Sequence, residues 1–305
     1  MDDATLRDLT GHVCVVTGAN SGIGKETARA LARQGAEVAM VCRSPERGAA
    51  ARDELAAAVD TGHFSLFVAD LAVQEDVRAV AAELSAHYDR IDVLVNNAGV
   101  LRTSRETTPD GIEYTLAVNY LAPFLLTHLL LDDLEATAQA HGEARVVNVG
   151  SDAQRAATLD LDDLQNEDDY SGMQAYAQSK LALTMFTHEL AHRMYETGVA
   201  VNCVHPGVVN TNIWRDQGWL PWLARRFRWL FRSPAGGAKG VVYLAAAEEA
   251  KGVTGQYFRE TEEVKPPPAA FDEKKAARLW GASLALTDLE STVPVYQKEA
   301  VRRAT

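Results

Sequence analysis

Tyr176 and Lys180 stand four residues apart in Tyr-Ala-Gln-Ser-Lys-Leu-Ala, a run of good helix formers, so one helical turn brings both side chains to the same face. A phenol with its ordinary pKa near 10 is a poor base at neutral pH, whereas a neighbouring ammonium favours the phenolate. Lowering that titration by ~2 units takes about 2.7 kcal/mol, within reach of one close lysine and a cationic ring. The pair could pass a proton to or from a substrate oxygen, although an ordinary helix-surface pair has the same spacing. Ser151, at the end of an earlier apolar run, could donate to a carbonyl oxygen and hold it beside the phenol. A serine that simply opens a loop is the plain alternative. Asn119 sits in an apolar helical run, where an asparagine usually bonds to a backbone carbonyl or a buried water. Tyr170 is nearer to Ser151, but no lysine follows four residues later, and it is set aside as the base.

These groups need elements to position them. Apolar runs at 12–17, 36–42, 63–69, 91–96, 145–150, 199–205 and 255–258 read as strands. They alternate with helical segments near 23–34, 46–59, 74–88, 112–138, 173–197 and 234–249. That alternation predicts an α/β fold, one doubly wound Rossmann-type parallel sheet with helices on both faces. Ligands on such sheets gather beyond the carboxyl ends of the strands. There stand the turn with Gly18, Gly22 and Gly24, then Cys42-Arg43, Asp70-Leu71, Asn96-Asn97-Ala98-Gly99, Ser151 and Pro206-Gly207. The glycine turn lies between a strand and a helix, where backbone N–H groups and a helix N-terminus can face a pyrophosphate.

The whole chain, 1–305, reads as a single domain with its nucleotide-binding and catalytic core at 10–260. Two stretches depart from the alternation. Residues 210–232 hold four of the five tryptophans, Trp214, Trp219, Trp222 and Trp229, interleaved with arginines. From Glu262 a Pro-rich run reads as a stiff connector, and 262–305 as a C-terminal extension with a helix near 272–286.

The formal charge of −12 and pI near 5.2 argue against a nucleic-acid partner. Cys14, Cys42 and Cys203 lie in apolar runs without metal-ligand spacing, which predicts buried thiols and no metal site. The N-terminus lacks a secretory pattern, and the longest aliphatic stretch, at 120–131, is shorter than the ~20 residues that span a bilayer. A cytoplasmic location is expected.

Taken together, the glycine turn, Asn-Asn-Ala-Gly, Asn119, Ser151, Tyr176-x-x-x-Lys180, and Pro206-Gly207 followed by Thr211 resemble the short-chain dehydrogenase/reductase family. The resemblance spans roughly residues 10–260. The long Ser–Tyr interval, Cys42-Arg43 and Ala-Arg-Leu-Trp near 277–280 are similar to its retinol dehydrogenase and WW-domain oxidoreductase branch. The resemblance implies Tyr176 as acid/base, Lys180 lowering its pKa and binding the nicotinamide ribose, Ser151 orienting the carbonyl and Asn119 holding a relay water. It implies cofactor contacts from Gly18, Asn20, Ser21, Gly22, Ile23, Gly24, Arg43, Asp70, Leu71, Asn97, Ala98, Gly99, Tyr176, Lys180, Pro206, Gly207, Val209 and Thr211. It also implies a homodimer or homotetramer packed through the helices near 112–138 and 173–197.

A strand-two end of Cys42-Arg43-Ser44 offers no acid to the ribose hydroxyls, and Arg43 suits a 2′-phosphate. NADP(H) is therefore expected, with NAD(H) the alternative. Asp70 could accept from the adenine amino group or serve as a capping residue. The 210–232 segment is expected to cover the site as a lid, with membrane contact as its rival reading. The expected function is an NADP(H)-dependent carbonyl reductase or alcohol dehydrogenase acting on a bulky, apolar small-molecule carbonyl or alcohol. A nucleotide-binding protein without redox activity, and epimerase or dehydratase chemistry on the same fold, are the alternatives.

Overall fold

Runs of Val, Ala, Leu and Cys become strands because they are buried on both faces, and the segments between them become helices with one buried stripe. The computed structural model describes residues 5–60, 62–207 and 233–290. Seven parallel strands form β1 (Val13–Thr17), β2 (Glu37–Cys42), β3 (His63–Val68), β4 (Val93–Asn96), β5 (Ala144–Val149), β6 (Val199–His205) and β7 (Tyr257–Arg259). Their order is β3-β2-β1-β4-β5-β6-β7, and β8 (Glu262–Glu263) closes the far edge antiparallel to β7. The central strands β1, β4, β5 and β6 are buried along their whole length. The edge strand β3 is largely accessible.

The helices are α1 (Gly22–Arg33), α2 (Pro45–Ala58), α3 (Gln74–His87), α4 (Tyr114–Leu129), α5 (Leu131–His141), α6 (Gly172–Arg193), α7 (Pro234–Ala246) and α8 (Glu273–Leu286). Local chemistry sets several of their starts. Ser44, Ser233 and Asp272 accept from the backbone N–H three residues on, in α2, α7 and α8 respectively, and Pro45 and Pro234 occupy the first turn. Gly142, at φ 93°, ends α5. One core layer joins the sheet to α1, α2 and α7, and the other joins it to α3, α4, α6 and α8.

Two expectations are corrected. The single helix expected at 112–138 is two, α4 and α5, bent by 55° at Leu130, and α4 opens into a π-turn at Ala117–Leu121. The stiff connector expected after Glu262 instead pairs Glu262 and Glu263 with β7, followed by a 3-10 turn at Pro268–Phe271. The helix expected near 272–286 in the C-terminal extension is α8, and its Leu279 and Trp280 lie inside the second core layer. Among the described residues no single helix is long and apolar enough to cross a membrane.

Candidate active site

The chain winds outward from β1 to β2 and β3, then crosses back to β4 on the other side of β1, so a crevice opens at the carboxyl ends of β1 and β4, where the winding reverses. A cavity of about 630 Å³ lies there. Its floor is the glycine turn. Gly18 has φ 68° and a Cβ on it would stand 3.1 Å from the Ala98 Cα, so a side chain would meet the neighbouring loop. Gly22 has φ 59°. The Ser21 side chain makes no capping bond to α1, and the first turn holds no acid. Its free N–H groups and positive helix end are thus left for an anion. An elongated cleft with such a turn at its base fits a dinucleotide.

Behind the turn, the Asn97 amide donates to the Thr17 carbonyl at 2.8 Å, and the Thr17 hydroxyl accepts from the N–H groups of Asn97 and Ala98. A Cβ on Gly24 would lie 2.4 Å from the Asn97 Nδ2 and 2.5 Å from the Gly18 oxygen. Gly24 does not reach the cavity wall; its absent side chain makes room for this joint. Asn96 faces inward as well, donating to Thr127 and to Asn148, whose own amide donates to Thr187. That buried ladder spans β4, β5, α4 and α6.

Toward β2 the cavity is walled by Arg43, Arg47, Asp70 and Leu71. Arg43 donates to the Tyr114 hydroxyl at 3.0 Å, and the Arg102 guanidinium lies 4.4 Å above the Tyr114 ring. Glu46, the nearest acid after β2, accepts from the Ser44 hydroxyl and does not line the cavity. Asp70 closes a turn by accepting from Ala72 N–H at 3.0 Å, while α3 begins with Val73 as its cap, so Asp70 is not that helix's capping residue.

The opposite wall carries Ser151, Tyr176 and Lys180, together with Pro206 and Gly207. Ser151 follows β5 and caps a 3-10 turn at Asp152–Ala156 by accepting from Ala153 N–H; its hydroxyl lies beside the Tyr176 phenol on the cavity wall. Desolvation in the cleft raises the Tyr176 phenol above its ordinary range, and the Ser151 hydroxyl opposes that rise. Lys180 is buried, donates to the Val149 carbonyl at 2.8 Å, and lies 5.9 Å from the centre of the Tyr176 ring. Burial brings its own titration down to about 8. In the protein alone, burial and the Ser151 hydroxyl, rather than Lys180, set the Tyr176 titration.

Asn119 lies in the π-turn, fully buried and behind the cavity wall rather than on it. Its amide donates to the Val100 carbonyl and, at 3.0 Å, to the Ser179 hydroxyl, while its oxygen accepts from Val100 N–H. Both amide protons are used, so the side chain is a splice between α4, the 98–100 loop and α6. Ser179 in turn donates to the Tyr176 carbonyl at 2.8 Å. Tyr170 points elsewhere, with its hydroxyl on Glu113 at 3.0 Å.

Beyond Ser151, Asp152 gathers Tyr257, Arg155, Arg259 and His205 from the ends of β5, β6 and β7. Asp152 and His205 both line the cavity. Charge from His205 and Arg259 holds the Asp152 carboxyl below its usual range against the opposing effect of burial. Burial lowers His205.

The structure thus brings Gly18, Asn20, Ser21, Gly22, Ile23, Arg43, Asp70, Leu71, Asn97, Ala98, Gly99, Ser151, Tyr176, Lys180, Pro206 and Gly207 to one cavity, and leaves Gly24 and Asn119 behind its wall. Val209, Thr211 and the 210–232 segment lie outside the described residues. Sequence reasoning missed Arg47, Tyr114, Thr17 and Ser179. Arg47 carries one legible signal, a second cation in the turn after β2, whereas the others are recruited by contacts distant in sequence.

A model of the short chain dehydrogenase family matches residues 12–218. Human retinol dehydrogenase 13 is 41% identical over 290 residues, covering 93% of this chain and 86% of the relative. Mouse polyprenol dehydrogenase is 42% identical over 281 residues, covering 91% and 84%. Among solved structures, an uncharacterised protein from Mycobacterium paratuberculosis superposes with a TM-score of 0.76 at 32% identity, covering 95% of this chain and 97% of that one. The Pseudomonas aeruginosa RhlG/NADP active-site complex gives 0.68 at 27%, covering 83% and 95%.

Proposed function

The chain belongs to the short-chain dehydrogenase/reductase family, in its retinol dehydrogenase branch, and from that premise we propose an NADP(H)-dependent oxidoreductase that interconverts a bulky apolar alcohol with its carbonyl compound, Tyr176 being the acid/base. The observation that carries this reading is the hydroxyl pair Ser151–Tyr176 opening onto the cavity with Lys180 one helical turn on. Two relatives are named for isoprenoid alcohols, retinol and polyprenol. Val100, Leu101, Val118 and Met173 give this end of the cavity an apolar wall suited to such a chain.

When bound, the nicotinamide supplies the hydride to the carbonyl carbon, or takes it up from the alcohol. The residues of this chain handle the oxygen. Ser151 fixes it by a hydrogen bond, and Tyr176 gives it a proton in reduction or removes one in oxidation. Lys180, charged below its lowered titration near 8, faces the same cavity, where an ammonium favours the phenolate needed for oxidation. Since the phenol is held above its ordinary range, Tyr176 stands ready as a proton donor at neutral pH. Arg43 and Arg47, with no acid from the β2–α2 turn lining the cavity, support the choice of NADP(H).

Reduction of retinal followed at 340 nm tests the proposal. Tyr176→Phe is expected to lower kcat by about 10²–10⁴-fold while NADPH still binds with near wild-type affinity. Turnover retained by the purified variant would overturn the assignment.

A further inference from the structure

The longer interval between Ser151 and Tyr176 contains a segment whose purpose the reaction does not explain. Glu113 meets it. This carboxylate is fully buried and caps α4, accepting from the N–H groups of Thr115 at 2.9 Å and Leu116 at 2.6 Å. Its backbone N–H donates to the Gln165 side chain at 3.1 Å, and its Oε1 accepts from the Tyr170 hydroxyl at 3.0 Å. Residues 165 and 170 of that interval are therefore bonded to the one residue that starts the helix of Asn119.

Tyr170 stands two positions before the first residue of α6, the helix of Tyr176 and Lys180. Its hydroxyl lies 3.4 Å from the Arg102 carbonyl. A Cβ on Gly172 would stand 1.9 Å from that same carbonyl oxygen, so the start of α6 is pressed against the main chain here. Further along, Asn119 donates to Ser179 and Ser179 to the Tyr176 carbonyl, which ties α4 to α6 a second time. Tyr176 sits between the two ties. Burial beside Glu113 pushes the Tyr170 phenol up to about 12, so it acts as donor throughout the working range.

We propose that the Tyr170–Glu113 hydrogen bond is a latch that positions α6 against α4 and thereby sets the Tyr176 hydroxyl relative to Ser151. Tyr170 and Glu113 are positioning residues and touch neither substrate nor cofactor. The inference rests on the reading of Tyr176 as acid/base. A small displacement of a reacting group is enough to cost a large part of the rate.

The test is the single-turnover rate of aldehyde reduction by pre-bound NADPH, measured for Tyr170→Phe, Glu113→Gln, their combination and Tyr176→Phe. Tyr170→Phe is expected to slow hydride transfer about tenfold, with NADPH affinity and binding stoichiometry unchanged. The loss in the double variant is expected to fall short of the product of the single losses, because the two variants share the Tyr170–Glu113 contact, although Glu113→Gln also takes one acceptor from the start of α4. A wild-type rate in Tyr170→Phe, or strictly additive losses, would overturn the latch. Should Tyr170→Phe fail to fold, Glu113→Gln weakens the same bond, since its one oxygen must serve the Tyr170 hydroxyl and the N–H groups of Thr115 and Leu116 together, and a slowing in the same direction is expected. If Tyr176→Phe is inactive while Tyr170→Phe turns over normally, the latch alone fails; if Tyr176→Phe keeps its rate, both readings fall.

Discussion

At the scale of single residues, the proposed choice of NADP(H) rests on guanidinium groups that follow β2. Arg43 is exposed, lines the cavity and is held by the Tyr114 hydroxyl, which limits the orientations it must give up on binding a phosphate. Hydrogen bonds to charged groups are worth about 1.5–3 kcal/mol. Arg43→Ala is thus expected to weaken NADPH binding by roughly 10- to 100-fold and leave NADH binding nearly unchanged, as read by nucleotide fluorescence titration. Equal losses for both nucleotides would count against a 2′-phosphate contact. At this scale the sequence made the lining of the cavity legible, as with Gly18 and Tyr176. Contacts with neighbours distant in sequence were less legible. Gly24, expected among the cofactor contacts, makes room for the Asn97 amide, and Asn119, expected to hold a relay water, bonds to the Val100 carbonyl as an asparagine in an apolar helix usually does, and to Ser179.

At the scale of elements, α8 docks through Trp280. The Arg193 guanidinium lies 4.0 Å from the centre of that ring on one side, and Phe124, His128 and Phe186 crowd it on the other. Burial drives the His128 titration down to about 4. The neutral imidazole is therefore the form the fold accepts, and the sign follows. Stability is complete above the unfolded value near 6.5 and is lost as pH falls through about 4, by about 3 kcal/mol in all. Melting temperatures are expected to decline over that interval, and His128→Phe to flatten this part of the profile; an unaltered profile would argue that carboxylates alone cause it. Strands and most helices were legible from their apolar runs. The break at Leu130 was not, because Leu129-Leu130-Leu131 contains no glycine or proline, and only the acidic pair Asp132-Asp133 in the first turn of α5 hints at a new helix. The bend lets Leu130, Leu131 and Leu134 enter the core together. Strand β8 escaped notice because two glutamates at an edge carry no apolar signal.

At the scale of the whole molecule, the alternation of strands and helices was enough to foresee the sheet and the position of its crevice. The association expected from family resemblance meets an obstacle. Phe124 of α4 and Phe186 of α6, on the helices expected to pack between subunits, are already covered by α8 of the same chain. We therefore propose that no copy of the chain packs there. Light scattering of the full chain is expected to return the 33.1 kDa of one protomer; a dimer in which α4 and α6 become protected from hydrogen exchange would contradict this. The buried amide ladder of Asn96, Asn148, Thr127 and Thr187 has a consequence of another kind. A one-residue slip between β4 and β5 would turn its amides to the opposite face and part them from their hydroxyl partners, at about 1–3 kcal/mol for each group left unsatisfied. Two valine-rich strands thus carry a check on their own alignment, and the height at which Ser151 emerges after β5 is fixed by that same register.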